Sequence, residues 1–190
     1  MARIFTAIDG KVTVRSVSRA FSALLVILCA ALLGFVSPHP AFAKPRSVAF
    51  LGVEMQNDNA RYEPTTDAER ARMAEVENKF KSMLEASGDY KFVPVSAEFK
   101  ARIAAGSPLT ECGGCEIEYG KELGANTIAW IKVQKVSNLI LNLNVYMVDV
   151  ATERTLFVHS VDMRGNTDES WDRALVYLVK NYLLASRLDG

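Results

Sequence analysis

The first 43 residues limit the fold more than any other feature of the sequence, because their pattern is typical of a segment removed during export. Residues 1–19 hold four basic side chains and one acidic side chain, and the next seventeen, Ala20 to Val36, are almost wholly apolar. Two prolines and the tripeptide Ala41-Phe42-Ala43 follow. A positive start, an apolar middle and an Ala-x-Ala site together predict a secretory signal peptide at residues 1–43, cleaved after Ala43.

The alternative for this segment is retention as a membrane anchor. A membrane-spanning helix needs about 20 apolar residues, whereas this run has seventeen and is followed by prolines and small residues. We therefore predict a periplasmic protein without stable membrane insertion after cleavage, in which residues 44–190 form a single α/β domain. Retention as an anchor stays open from the sequence alone.

The composition of residues 44–190 argues against several classes of function. They hold 18 basic and 21 acidic residues, so the basic patch typical of nucleic-acid binding is not predicted. Neither a dinucleotide-binding nor a Walker-type glycine loop occurs. His159 is the only histidine of this part, which excludes a multi-histidine metal site within one chain. We predict no catalytic residues, no cofactor and no nucleic-acid partner, so enzymatic activity stays open but is disfavoured.

Apolar periodicity predicts five strands and four helices. The run from Ser47 to Met55 is almost continuously apolar, as in a central strand buried on both faces. Thr66 and Glu69 form a capping box, after which an apolar stripe continues to Leu84 as one helix. Alternating apolar and polar side chains predict a half-buried strand from Leu139 to Val150. The other predicted elements are strands at 91–95, 127–136 and 155–163 and helices at 97–105, at 115–123 and from 167 onward.

These elements predict an α/β fold with the order βαβααβββα. Crossovers between parallel strands are right-handed, so strand two should lie on one side of a central strand one and strand three on the other. We expect a three-layer mixed sheet with strand order 2-1-3-4-5, in which strands 1–3 are parallel and strands 3–5 form an antiparallel meander. Pro94 cannot donate to the strand ladder, so strand two should lie at a sheet edge or end at this proline.

Residues around the third helix and the fourth strand form motifs that also occur in known proteins. A helix ends at Leu123-Gly124-Ala125, a strand follows, and Val145 to Thr152 (VYMVDVAT) ends a second strand with Asp-Val-x-Thr. This pattern resembles the amino-terminal domain of the periplasmic translocation protein TolB and related curli-assembly-type domains. The resemblance covers most of residues 47–185, although Glu153 stands where the family often has a glycine.

The chain resembles still more closely a family of uncharacterised proteobacterial periplasmic proteins associated with quinoprotein alcohol dehydrogenase systems. The TolB-like resemblance implies an envelope interaction or assembly module, and the second resemblance implies an accessory role. Neither implies catalytic residues. We therefore predict a non-enzymatic periplasmic interaction or accessory module with a periplasmic protein partner, in an envelope or quinoprotein dehydrogenase system.

Cys112 and Cys115 are the only cysteines after the predicted cleavage site. In an oxidising compartment such a pair usually forms a disulfide, and the two glycines between them supply the tight turn that closure needs. The first alternative is a thiol–disulfide or electron-transfer helper, because the spacing is that of thioredoxin-like pairs. Against it, no proline follows position 108 to serve as the cis-proline of that fold.

The second alternative for the cysteine pair is a protein that binds a metal or another small ligand. Two thiolates are half of a structural zinc set and also suit Cu(I). Glu111, Glu116 or His159 would complete such a site. We predict a structural disulfide between Cys112 and Cys115 and no metal site, with the redox and metal interpretations kept as alternatives.

The polar loop from Gln56 to Thr65 is the candidate ligand or partner loop. Loops carry a large share of binding residues in proteins. Its candidate contact residues are Asn57, Asp58, Arg61 and Tyr62. A plain surface loop is the alternative.

Other polar residues are predicted to be structural. His159 lies among apolar residues of a strand and has no partner at motif spacing, so we expect a partly buried histidine with a structural role. Asp67, Glu69, Glu75 and Glu77 are close enough in sequence to suggest paired carboxylates. We expect them instead to be solvated helix charges, two of which favour the positive helix amino terminus.

Overall fold

The computed structural model describes residues 44–186. The predicted signal peptide at 1–43 lies outside the described residues, so its cleavage and the domain boundary stay predictions. None of the helices between residues 44 and 186 combines the length and the apolar composition of a membrane-spanning segment.

Five strands form one mixed sheet: β1 (Arg46–Asn57), β2 (Tyr90–Phe92), β3 (Thr127–Lys135), β4 (Ile140–Asp149) and β5 (Thr155–Arg164). Their order across the sheet is β2-β1-β3-β4-β5. β1 pairs in parallel with both β2 and β3, whereas β3, β4 and β5 form an antiparallel meander. The predicted class, strand order and strand directions are therefore confirmed.

Four helices accompany the sheet: α1 (Asp67–Ser87), α2 (Ala97–Ala105), α3 (Cys115–Glu122) and α4 (Asp168–Leu178), which a π-helical turn (Val179–Leu183) continues. The side chains of Thr66, Ser96 and Thr167 each accept a hydrogen bond from the backbone N–H three residues further on. Such caps satisfy donors that have no partner inside the helix. Gly88 ends α1 in the left-handed conformation, with φ 80°.

The helices cover both faces of the sheet. The face that we name side A is covered by α1, by α4 and by the π-helical turn, which enclose the larger core. The Phe50 and Phe80 rings lie 5.3 Å apart there, and Trp171 and Leu175 are fully buried. Each such buried side chain contributes roughly 1.5–3 kcal/mol. The predicted three-layer arrangement is confirmed.

Side B, the opposite face, packs against α2 and α3 around a smaller core that includes Trp130. Helix α3 approaches the sheet closely at Gly120. A Cβ atom at this position would lie 2.6 Å from the Cγ2 atoms of both Ile128 and Val150. Gly120 is therefore required by packing, not by its backbone conformation.

A bulge in β1 changes which of its side chains face each side of the sheet. The register with β3 shifts between Phe50 and Val53, so that two residues of β1 oppose one residue of β3. Gly52, inside the bulge, has φ 130°, a conformation that favours glycine. Because of the extra residue, Val53 and Met55 share side A with Phe50, and Glu54 faces side B.

Most element ends lie within one residue of the prediction, and three features differ by more. β1 continues to Asn57 because its pairing with β3 extends that far. β2 ends at Phe92, two residues before Pro94, which cannot donate to a ladder. The π-helical turn after α4 was not predicted. At the β4–β5 turn, Glu153 has φ 59° and is the only non-glycine residue with positive φ among residues 44–186.

Candidate functional site

The predicted partner loop begins at the end of β1 and is fixed to the sheet by hydrogen bonds. The Asn57 side chain donates to the backbone oxygen of Glu63 (2.7 Å) and accepts from the N–H of Asn59 (3.1 Å). The N–H of Asp58 donates to the backbone oxygen of Lys135 (3.0 Å), the last residue of β3. Asn57 and Asp58 therefore hold the loop in place.

Arg61 and Tyr62, the other two predicted contact residues, are exposed. The Arg61 guanidinium lies 5.8 Å from the centroid of the Tyr62 ring. The loop meets the β3–β4 turn, where the Asn138 side chain donates to the Glu63 carboxylate (3.1 Å). The exposed apolar residues of this region form what we name the hairpin–loop surface: Tyr62 (76% exposed), Val136 (48%), Leu139 (75%) and Ile140 (60%).

A buried ion pair lies next to the hairpin–loop surface. The Lys135 ammonium donates to Glu69 Oε1 at 2.8 Å, and both residues are buried. The other carboxylate oxygen accepts from the N–H of Thr66 at 2.7 Å, which completes the capping box. Burial alone raises the pKa of Glu69, but hydrogen bonds from Lys135, the Thr66 backbone and Asn166 outweigh burial and lower the pKa from 4.5 to about 2.

Asn166, between β5 and α4, connects this ion pair to the rest of the site. Its Nδ2 donates to Glu69 Oε1 (2.6 Å) and to Asn138 Oδ1 (3.1 Å), and its Oδ1 accepts from the Trp171 indole N–H (2.9 Å). The network thus joins the start of α1, the end of β3, the β3–β4 turn and α4. Satisfied buried polar networks rigidify the structure around them, so the hairpin–loop surface has a rigid base.

The buried ion pair was not predicted, although two signals in the sequence indicate it. Lys135 follows Ile131 and Val133 at two-residue steps, which places it on the buried face of β3. Glu69 precedes Met73 by four residues and therefore lies on the apolar stripe of α1. The expectation that Glu69 is a solvated helix charge was wrong, because it pairs with a lysine that is also buried.

Cys112 and Cys115 are joined by a disulfide, with their Cα atoms 5.6 Å apart. Gly113 and Gly114 between them have φ values of 69° and 107°, which only glycine adopts readily. Cys115 is the first residue of α3, so the bridge fixes the chain at the point where the helix starts.

The three residues considered as further metal ligands lie in different surroundings. Glu116 Oε2 is 3.2 Å from the Sγ of Cys112. The Glu111 carboxylate forms an ion pair with the Lys132 ammonium, at a distance of 3.6 Å. His159 lies on side A, whereas the cysteines lie at the start of α3, a helix of side B. The structure therefore brings only Glu116 of the three next to the cysteine pair.

A pocket of about 480 Å³ opens on side B beside the carboxyl-terminal halves of β1 and β3. In open parallel α/β sheets, ligands bind outside the carboxyl ends of the strands, where the crossovers diverge to opposite faces; the parallel strands β2, β1 and β3 form such a point here. Glu54 and Lys132 line the pocket, and sequence analysis did not single them out. The bulge in β1 is what turns Glu54 toward it.

Glu54 is an unusual carboxylate in this pocket. Its Oε1 accepts from the N–H of Leu109 (3.0 Å), and its buried Oε2 has no hydrogen-bond partner among the described residues. Burial raises the pKa of Glu54, and the Leu109 N–H and the Lys132 charge only partly oppose this. Lys132 in turn donates to the Thr110 hydroxyl at 2.9 Å. These contacts tie the segment before the disulfide to the sheet.

His159 takes the structural role that was expected of it. Its ring stacks on that of Tyr182, with centroids 3.6 Å apart, and lies 6.1 Å from that of Phe157. Within residues 44–186 its side chain has no hydrogen bond or ion pair to a carboxylate. The described residues therefore contain no Ser-His-Asp type arrangement, which would need such a partner.

Several solved structures are similar to this chain at low sequence identity. The LpoB C-terminal domain from Salmonella enterica is 11% identical, with 73% of this chain and 93% of that chain covered and a TM-score of 0.46. Lipoprotein GNA1162 from Neisseria meningitidis is 13% identical, with 75% and 99% covered and a TM-score of 0.48. TolB from Acinetobacter baumannii is 11% identical, with 72% and 28% covered and a TM-score of 0.40. At these values the likeness carries no statement about function.

Sequence comparison gives a family but no characterised relative. No curated protein matches the chain. Residues 46–183 match the family DUF3280, described as "Protein of unknown function (DUF2380)". That range contains every strand and helix of the structure, from β1 to the π-helical turn. Because the match covers well over half of the chain, the protein belongs to this family.

Proposed function

We propose that this protein is a non-enzymatic interaction module of the periplasm, which binds a protein partner through the hairpin–loop surface. The observation that carries the proposal is the group of four exposed apolar residues, Tyr62, Val136, Leu139 and Ile140, at one end of the sheet. Contiguous exposed apolar patches with polar rims mark interaction sites in soluble proteins.

The rigidity of the surface supports this proposal. Asn138 connects the β3–β4 turn to Glu63 of the loop and to Asn166 beside the buried ion pair. Binding then requires little ordering of loops, and preorganisation of this kind increases affinity. Tyr62 suits the role of an anchor, because tyrosine offers a large contact area and is enriched among the residues that dominate binding energy.

The charges around the surface indicate what kind of partner fits. Arg61 and Arg164 are exposed, and neither forms an ion pair with another described residue. Arg164 lies opposite Ile140 in the β4–β5 register, at the edge of the apolar residues. We therefore expect a protein with an apolar patch and acidic groups around it. The resemblance noted from the sequence suggests an envelope or quinoprotein dehydrogenase component.

Site-specific photocross-linking in the native compartment tests the proposal. A photoreactive amino acid at Leu139 should give one discrete heterologous adduct, whereas the same group at Val158, a residue of β5 that is also exposed (58%), should not. An adduct with the mass of two copies of this chain would overturn the proposal in favour of self-association. Equal labelling from both positions would also overturn it.

Quantitative binding to the cross-linked partner completes the test. Tyr62→Ala and Leu139→Asp should each weaken binding by about 30-fold, the equivalent of a residue worth 2 kcal/mol. Val158→Asp is the matched control and should stay within about twofold of the unmodified chain. If all three variants bound the partner as tightly as the unmodified chain does, this surface would not be the binding site.

A further inference from the structure

We propose that Cys112, Cys115 and Glu116 form a redox-gated site for one thiophilic divalent cation, with Zn²⁺ as the representative ion. The disulfide closes the site, and its reduction to two thiols opens it. This inference is independent of the hairpin–loop surface, which lies at the ends of β1 and β3. Of the three further metal ligands that the sequence left open, only Glu116 belongs to this site.

The positions of the potential ligand atoms carry the proposal. The two sulfur atoms and a Glu116 carboxylate oxygen all lie within 4.8 Å of one another. Zn–S and Zn–O bonds of about 2.3 and 2.1 Å place the ligands of a tetrahedral ion about 3.6 to 3.8 Å apart. Glu116 Oε2 is already 3.2 Å from the Sγ of Cys112. The two sulfur atoms must separate to about 3.8 Å, and breaking their bond permits this.

The backbone around the cysteines permits the small movement that metal binding needs. Gly113 and Gly114 connect them, and a Cβ atom at either glycine would meet nothing within 4 Å. The turn between the cysteines is therefore not packed against other atoms at these two positions. Cys115 and Glu116 are the first two residues of α3. Two of the three ligands thus belong to one helical turn, and two glycines connect the third ligand to them.

Cys115 also lies at the positive end of the α3 dipole, which favours a negatively charged sulfur ligand at that position. Glu111 does not belong to this group of ligand atoms, and its carboxylate faces the Lys132 ammonium at 3.6 Å. Three protein ligands leave one position of a tetrahedral ion open to water, as in exchangeable zinc sites.

The chemistry balances with a small dithiol as the reductant. The dithiol transfers two electrons and two protons to the disulfide, so that its S–S bond breaks, two cysteine thiols form, and the dithiol becomes a cyclic disulfide. Zn²⁺ then displaces one proton from each thiol as it binds. Metal binding and disulfide formation exclude each other, because both use the same two sulfur atoms.

Metal binding by the full chain, reduced with dithiothreitol and then freed of it under nitrogen, tests the proposal. Competition with a chromophoric zinc chelator should show one Zn²⁺ per chain, with at least about 100-fold weaker binding by the oxidised protein. Co²⁺ in place of Zn²⁺ should give a sulfur-to-cobalt charge-transfer band. The absence of Zn²⁺ binding by the reduced chain, or equal binding by the oxidised chain, would overturn the proposal.

Variants distinguish the proposed ligands from adventitious ones. Glu116→Gln should weaken Zn²⁺ binding about tenfold or more, which is the scale of losing one contributing group at a metal site. Glu118→Gln, an acidic residue in the same helical turn, is the matched control and should keep the affinity within twofold. Cys112→Ser should abolish the charge-transfer band. Equal affinities for the two glutamine variants would exclude Glu116 as a ligand and overturn the site.

Discussion

Replacing Glu69 by glutamine is expected to destabilise the fold by about 3 kcal/mol at pH 7. The substitution keeps the size of the side chain and can keep the capping-box hydrogen bond to Thr66. It removes the negative charge that faces Lys135 at 2.8 Å. The lysine ammonium would then remain buried with only the partly exposed Glu63 carboxylate at 3.8 Å.

Two independent arguments give the same magnitude. The fall of the Glu69 pKa from 4.5 to about 2 corresponds to about 3 kcal/mol, since each pKa unit is worth 1.36 kcal/mol. Removing one partner of a buried ion pair costs about 3–5 kcal/mol in general. Glu63 offers partial compensation, which favours the lower end of that range.

The pKa of Glu69 also fixes how this contribution depends on pH. Because the folded-state pKa is lower than the unfolded value, the carboxylate stabilises the fold above about pH 4.5 and loses this effect as the pH falls toward 2. At pH 3 the remaining contribution is about 1.4 kcal/mol. The difference in stability between the unmodified chain and Glu69→Gln should therefore shrink by about half between pH 7 and pH 3.

Urea unfolding followed by tryptophan fluorescence measures these differences. Glu75→Gln, on the exposed side of the same helix, is the control and should change stability by less than about 0.5 kcal/mol. Adding Lys135→Met to Glu69→Gln should recover part of the loss, because no unpaired charge stays buried. The reasoning is refuted if Glu69→Gln matches Glu75→Gln at pH 7, or if its deficit is the same at pH 3.

Three further substitutions test the packing and backbone arguments. Glu153→Gly should stabilise the β4–β5 turn by up to about 1 kcal/mol in urea unfolding, because glycine removes the cost of φ 59°; a loss would contradict this. Gly120→Ala should lower stability by about 1–3 kcal/mol, because its Cβ would lie 2.6 Å from Ile128, and a neutral result in thermal unfolding would refute the close approach. Replacing Cys112 and Cys115 by serine should lower the free energy of unfolding by about 2 kcal/mol relative to the unreduced chain, since the disulfide closes only a short loop. A much larger loss would mean that the disulfide is essential for the stability of the whole fold.

The fold was predictable because its strands and helices are regular and their connections are restricted. The apolar run of β1 and the alternation of β4 identified a central and a half-buried strand, and right-handed crossovers left one strand order. Capping residues such as Thr66 and Thr167 marked the helix starts. These signals are local, or they follow from general rules of chain connection.

The candidate site was predictable only in part, because it depends on contacts between distant residues. Asn57 and Asp58, two of the predicted contact residues, hold the loop in place, and the proposed surface also includes exposed residues of the β3–β4 turn that were not predicted. Asn166 joins Glu69 across 97 positions in the sequence. No periodicity connects two such polar residues, so only the folded structure shows that they meet.

The bulge in β1 makes the length of the chain at this point a determinant of sidedness. Side chains of a regular strand alternate between the faces, so β1 without the bulge, but with all its residues, would place Glu54 in the layer of phenylalanine rings and Val53 in the polar pocket. A single-residue deletion between Phe50 and Val53 would instead remove the bulge, and both side chains would keep their present faces. The extra residue at Gly52 therefore marks a point at which this central strand can lose one residue without turning its second half over.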